Sequence, residues 1–237
     1  MPCRRAGSSP PSSRPRETTP RERRCSHRHR PPSGRNCDRR RRETAGTPGS
    51  VSGDPRSALL AILRRESVRF GEFQLAHGGT SNVYVDARLT VMRSDAAALV
   101  GRVLLDTMDR SGFRASAVGG MAAGAIPLTT AVVMEAGAAG RQLAGFFVRK
   151  EAKDHGRGRR IEGVERPHGA AVILEDTATT GKSTLAAVEA AREAGFEVVG
   201  AVALVDRGMG AGPLLTGAGV PYAAAFELDD LTEPAPS

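Results

Sequence analysis

Five short runs are almost purely apolar: Ala115 to Val118, Leu143 to Val148, Ala170 to Leu174, Val198 to Val205 and Ala223 to Phe226. Helical patterns separate them. Asp54-Pro55 reads as an N-cap with proline at the first helical position, followed by the apolar face of Leu59, Leu60, Ile62 and Leu63. Phe73 to Arg88 reads as extended. Ser94 is expected to cap a helix that carries Leu99, Val103, Leu104 and Met108 and ends near Gly112. Further helices are expected over 124–136 and from Lys182 to Ala194, the latter closed by Gly195, with a short one before the last strand. Strands without polar alternation must be covered on both faces. The pattern therefore predicts an α/β fold with a parallel sheet flanked by helices, and ligands of such sheets bind beyond the carboxyl ends of the strands.

Charge divides the chain in two. Residues 1–50 hold 14 Arg, no Lys and four acids, leaving 20 basic and 22 acidic residues in 51–237. The net charge of +8 thus belongs to the tail, and the mildly acidic body gives no electrostatic support for a nucleic-acid surface. All three cysteines (Cys3, Cys25 and Cys37) lie in the tail, so disulfides are irrelevant to the fold, and a reducing, cytoplasmic setting fits. Cys25-Ser26-His27-Arg28-His29 lacks the paired spacing of a zinc site. No run approaches the roughly 18 to 20 apolar residues of a membrane span, and no signal peptide opens the chain. The tail, rich in Arg, Pro and Ser, is expected to be disordered, since it has little apolar surface to bury. A transit segment, an RNA-binding or solubilising tail, and translation that begins near Val51 are the competing readings. The abrupt composition change favours the last.

The most informative segment is Ala171-Val172-Ile173-Leu174-Glu175-Asp176-Thr177-Ala178-Thr179-Thr180-Gly181-Lys182-Ser183-Thr184. An apolar strand ends in two acids, a Thr/Gly loop follows, and a helix begins. Gly181-Lys182-Ser183 ends like a P-loop, but Asp176 stands where that motif needs its first glycine. Helix N-terminal amides with the hydroxyls of Thr179, Thr180 and Ser183 make a phosphate cradle. The adjacent acids would repel a phosphate but accept hydrogen bonds from sugar hydroxyls. Together they suit a ribose 5-phosphate.

This segment resembles the phosphoribosyl pyrophosphate (PRPP) signature of type I phosphoribosyltransferases, although Thr177 and Ala178 stand where larger aliphatics are common. The resemblance implies PRPP contacts along Glu175, Asp176, Thr177, Ala178, Thr179, Thr180, Gly181, Lys182 and Ser183. A second segment, Phe147 to Gly163, is similar to the catalytic loop of the orotate phosphoribosyltransferase family, with its Arg-Lys-x-x-Lys-x-His-Gly core. That likeness places Arg149, Lys150, Lys153 and His155 on PRPP-contacting positions, with Arg149, Lys153 and His155 catalytic. It also implies a flexible loop that reaches into a neighbouring subunit, hence a homodimer with shared active sites. Arg207, in Val205-Asp206-Arg207-Gly208, matches a position that contacts the orotate carboxylate, and Thr179 one that contacts the base.

Val118 to Pro127 is a loop of small residues whose counterpart in the family lies by the pyrophosphate and base. Ala123 and Gly124 offer only backbone donors there, and neither is taken as a site residue. Phe73 to Asp86 resembles the family's small N-terminal hood, without the Lys or Arg common in the stretch matching Ala76 to Gly79, or the aromatic at Val83.

The resemblance covers nearly all of 54–230 and none of the tail, and assigns a phosphoribosyltransferase domain to 51–237. It implies orotate and PRPP as substrates, Mg²⁺ held mainly through PRPP rather than by a protein metal site, and no membrane or nucleic-acid partner. A transferase for another base is opposed by the loop core, since purine enzymes of this class typically carry a different flexible loop. A regulator that keeps the fold but binds RNA or DNA has only the tail in its favour.

Overall fold

The computed structural model describes residues 53–74, 80–151 and 160–233. The tail, Lys153 and His155 of the expected flexible loop, and Ala76 to Gly79 of the hood lie outside these residues.

Helix α1 (Pro55–Glu66) begins as its sequence requires. The Asp54 carboxylate accepts from the amides of Arg56 and Ser57, and Pro55 occupies the first turn. The stretch expected to be one extended run is broken up. Strand β1 (Val68–Gln74) pairs antiparallel with β2 (Thr80–Val85), and a short helix α2 (Arg88–Val91) follows. The break after β2 is local chemistry: the Asp86 carboxylate accepts from the Arg88 amide and starts a turn. The N-cap of α3 (Ala97–Arg110) is Ala96, not Ser94, and makes no side-chain cap bond. Here the core decides, because Ala96 is fully buried while the neighbouring Asp95 is drawn outward by Arg93.

The remaining elements are β3 (Ala117–Met121), α4 (Ala125–Ala138), β4 (Ala144–Val148), the two-residue β5 (Ile161–Glu162), β6 (Ala170–Ala178), α5 (Lys182–Ala194), β7 (Glu197–Asp206), α6 (Ala211–Gly217), β8 (Tyr222–Glu227) and α7 (Leu228–Thr232). They alternate as expected, apart from β5 and α7, which the sequence pattern does not announce. The main sheet runs β5-β4-β3-β6-β7-β8, and only the edge strand β5 is antiparallel to its neighbour. Along β6 successive residues face opposite cores. Val172 and Leu174 pack with α1, α3 and α4, whereas Ala171 and Ile173 pack against α5.

Chain order reverses between β3 and β6: β4 follows on one side and β7 on the other. This is the switch point where an open parallel sheet leaves a crevice at its carboxyl end. Gly120 is required there, since a Cβ on it would overlap the Leu174 carbonyl oxygen of the neighbouring strand.

Candidate active site

Strand β6 does not stop at its acids. Glu175, Thr177 and Ala178 continue the ladder with β7, opposite Ala203, Val205 and Asp206. The central position of β6 explains the extension, since backbone pairing on β7 persists after the apolar run ends. The acids are therefore held by the sheet rather than by a loop. Glu175 is only 7% exposed, and its Oε2 accepts from Ser183 Oγ and Thr184 Oγ1, each at 2.8 Å. Burial pushes its carboxyl up to about 7, against the opposing pull of the two hydroxyls. The Ser183 hydroxyl, expected in a phosphate cradle, thus donates its hydrogen bond to Glu175.

Asp176 points the other way along the pleat. Its Oδ1 accepts from the Thr177 amide at 2.8 Å, and a Cβ on Gly124 would lie 2.8 Å from the carboxylate. The loop of small residues after β3 lets this acid approach its backbone. That loop contains the cis peptide Ala122–Ala123.

Gly181 opens α5 in the left-handed region at φ +78°, where side chains other than glycine are strained. It makes no side-chain cap bond, and no acid lies in the first turn of the helix. The α5 amides thus face the space beside half-buried Thr179 and Thr180, with Lys182 exposed. An uncapped N-terminus of a 13-residue helix attracts anions through its amides and its dipole.

At the end of β4, a groove of about 470 Å³ is lined by Ala122, Ala123, Phe147, Arg149, Lys150 and Glu151. Arg149 is not a loose loop cation. Its amide donates to the Arg160 carbonyl at 2.8 Å, and its Nη1 lies 3.2 Å from Glu162 Oε1. Lys150 is exposed.

Beyond β7, Arg207 extends to the hood. Its Nη2 donates to Ser81 Oγ at 3.1 Å and to the Val83 carbonyl at 2.9 Å. Its Nε is buried and finds no partner among the described residues. The structure thus gathers Arg149, Lys150, Glu175, Asp176, Thr179 and Arg207 at the carboxyl ends of β4, β6 and β7. Sequence reasoning missed two features. Thr184 joins Ser183 on Glu175, and Tyr222 of β8 donates to Asp206. The first is visible in principle as a second hydroxyl on the face of a helix start. The second has no signal along the chain.

No family model matches the chain. The chain is 46% identical over 179 residues to the orotate phosphoribosyltransferase of Streptomyces avermitilis, covering 75% of this chain and 97% of that one. Among solved structures it resembles Mycobacterium tuberculosis orotate phosphoribosyltransferase in complex with Fe(III) dicitrate, with a TM-score of 0.68 and 38% identity, covering 76% of this chain and 100% of that chain. The same enzyme in complex with PRPP matches with a TM-score of 0.63 and 34% identity, again covering 76% and 100%.

Proposed function

Because this chain belongs to the orotate phosphoribosyltransferase family, we propose the following working of its site. The reaction transfers ribose 5-phosphate from PRPP to orotate, giving orotidine 5′-monophosphate and pyrophosphate on the route to pyrimidine nucleotides. The carrying observation is the end of β6, where two sheet-held acids adjoin the uncapped N-terminus of α5.

The α5 amides, with Thr177 to Ser183, hold the 5-phosphate. Asp176 accepts from the ribose hydroxyls, and buried Glu175 fixes the start of α5 through Ser183 and Thr184. Arg207 takes the orotate carboxylate through its guanidinium, which no carboxylate among the described residues neutralises, and Thr179 takes the base edge. Arg149 and Lys150, beside the groove after β4, face the pyrophosphate. Lys153 and His155 add donors as negative charge gathers on the leaving group.

Mg²⁺ fits this donor set. Among the described residues no group of three or more possible metal ligands occurs, but a hard cation that keeps its waters needs only one or two carboxylates plus substrate oxygens. Asp176 is the residue that would approach it, and the ion would supply positive charge to the pyrophosphate.

The reading includes a homodimer. It is supported by a mostly apolar groove of about 380 Å³ along α4 and β4, lined in part by Ile126, Val133, Met134 and Phe147, where Met134 is 70% exposed. A second copy is the occupant that would also bring the catalytic loop across. A cytoplasmic location fits a body without cysteine, and no helix among the described residues is long and apolar enough to cross a membrane. Residues 51–237 carry every proposed site, so the tail is dispensable for the reaction.

Lys153→Ala tests the loop assignment. Turnover should fall by about 10² to 10³ with thermal stability unchanged. Unaltered steady-state turnover would contradict it.

A further inference from the structure

Asp206 and Arg207 are adjacent in sequence and opposite in charge, yet they do not pair. Among the described residues no carboxylate lies within ion-pair distance of Arg207, whose two acceptors, Ser81 Oγ and the Val83 carbonyl, are neutral. Its positive charge therefore remains available at the crevice.

The reason lies behind the sheet end. Asp206 is 7% exposed, and both of its oxygens are occupied. Oδ1 accepts from the Gly208 amide and Oδ2 from the Tyr222 hydroxyl, each at 2.9 Å. Meanwhile the Arg207 amide donates to the Ala178 carbonyl at 3.0 Å, carrying the β6–β7 ladder one residue further. The Asp206 carboxylate is turned to the Tyr222 hydroxyl beneath α6, whereas the Arg207 guanidinium, one residue past β7, reaches the hood. The Tyr222 ring fills the space beneath α6, packed with Ala178, Ala203 and Ala211. Burial, with the bond to Asp206, pushes the Tyr222 hydroxyl well above the usual phenol range, so it remains a donor throughout the working pH range.

We propose that Tyr222 is a positioning residue for orotate: its hydroxyl holds Asp206 away from Arg207 and keeps that guanidinium unneutralised for the substrate carboxylate. This rests on the reading of Arg207 as the orotate contact. Without the hydroxyl, a buried carboxylate oxygen loses its donor, which is costly to leave unmade. The nearest strong donor along the chain is the Arg207 guanidinium. Pairing would lift Arg207 from Ser81 and Val83 and cancel the charge that orotate needs. This chain of contacts meets the PRPP loop only at the Ala178 carbonyl and methyl group, neither of which bonds to the Tyr222 hydroxyl, so the effect falls on orotate.

The test uses the full chain, with steady-state constants for both substrates and circular dichroism as a check on folding. Tyr222→Phe should raise KM for orotate about three- to tenfold and leave KM for PRPP within about twofold. Adding Asp206→Asn to that variant should restore the orotate KM, because a neutral amide still accepts from Gly208 but cannot neutralise Arg207. Equal rises in both constants, no rise in either, or no rescue by Asp206→Asn would overturn the inference. Arg207→Ala separates it from its premise. If that variant raises the orotate KM while Tyr222→Phe does not, the positioning role alone fails. If Arg207→Ala leaves the orotate KM unchanged, the carboxylate reading fails and the inference falls with it. Should Tyr222→Phe not fold, Asp206→Asn alone must leave the orotate KM no higher than in the parent chain, and a rise there would overturn the proposal.

Discussion

Strand β6 is buried along most of its length and paired on both sides, whereas the hairpin β1–β2 exposes most of its side chains and, among the described residues, pairs only with itself. Both reach the same crevice. β6 supplies acids fixed by ladder bonds and by two hydroxyls. The hairpin supplies a neutral surface, Ser81 and Val83, that receives Arg207 from just beyond β7. A sheet centre can hold charged groups in one geometry because its backbone has nowhere else to go. A two-stranded ribbon cannot do so alone, so its contribution is to accept what the sheet presents.

The contrast is sharpest where the sheet has no slack. Gly120→Ala would drive a methyl group into the Leu174 carbonyl at the β3–β6 switch point. Destabilisation of about 3 kcal/mol or more is expected in urea denaturation. A variant as stable as the parent would show that the crevice floor can move.

Glu175 gives a smaller effect with a definite sign. Its carboxyl is raised from 4.5 to about 7 by burial, so the folded chain holds a proton that the unfolded chain has released. Stability from this group is fully present below about pH 4.5, falls as pH rises toward 7, and is level above. Glu175→Gln should flatten that slope and stabilise the unliganded protein at pH 8 by as much as about 3 kcal/mol, at roughly 1.36 kcal/mol per unit. Parallel pH profiles of melting temperature for parent and variant would contradict the assignment.

At the other extreme stands Phe70 of β1, 70% exposed. Phe70→Ser should change stability by no more than about 0.5 kcal/mol. A loss several times larger would mean that the hairpin is held by more than its own pairing.

The same division explains what the sequence made legible. The runs that became β4, β6, β7 and β8 are apolar because helices cover both faces, and burial writes itself into residue type. Helix α5 begins and ends where Lys182 and Gly195 place it. The run that reads as extended, Phe73 to Arg88, takes in the end of β1, all of β2 and the start of α2, while the rest of β1 gives no signal because it is mostly exposed and carries an irregularity between Phe70 and Phe73, which breaks the alternation a sequence reader needs. Ser94 misled for a related reason. It has the chemistry of a cap, but buried Ala96 sets where α3 starts.

Within the site, the acids of β6 and Arg207 just past β7 could be placed because strand ends follow from strand patterns. Their partners could not. Ser81 is 126 residues from Arg207 and Tyr222 is 16 from Asp206, distances that only the folded sheet closes.

The most direct measurement is orotate's ultraviolet absorbance in the full chain with PRPP and Mg²⁺ present. The account predicts loss of orotate that requires PRPP and is matched by released pyrophosphate. A folded protein that leaves orotate unchanged under those conditions would contradict it.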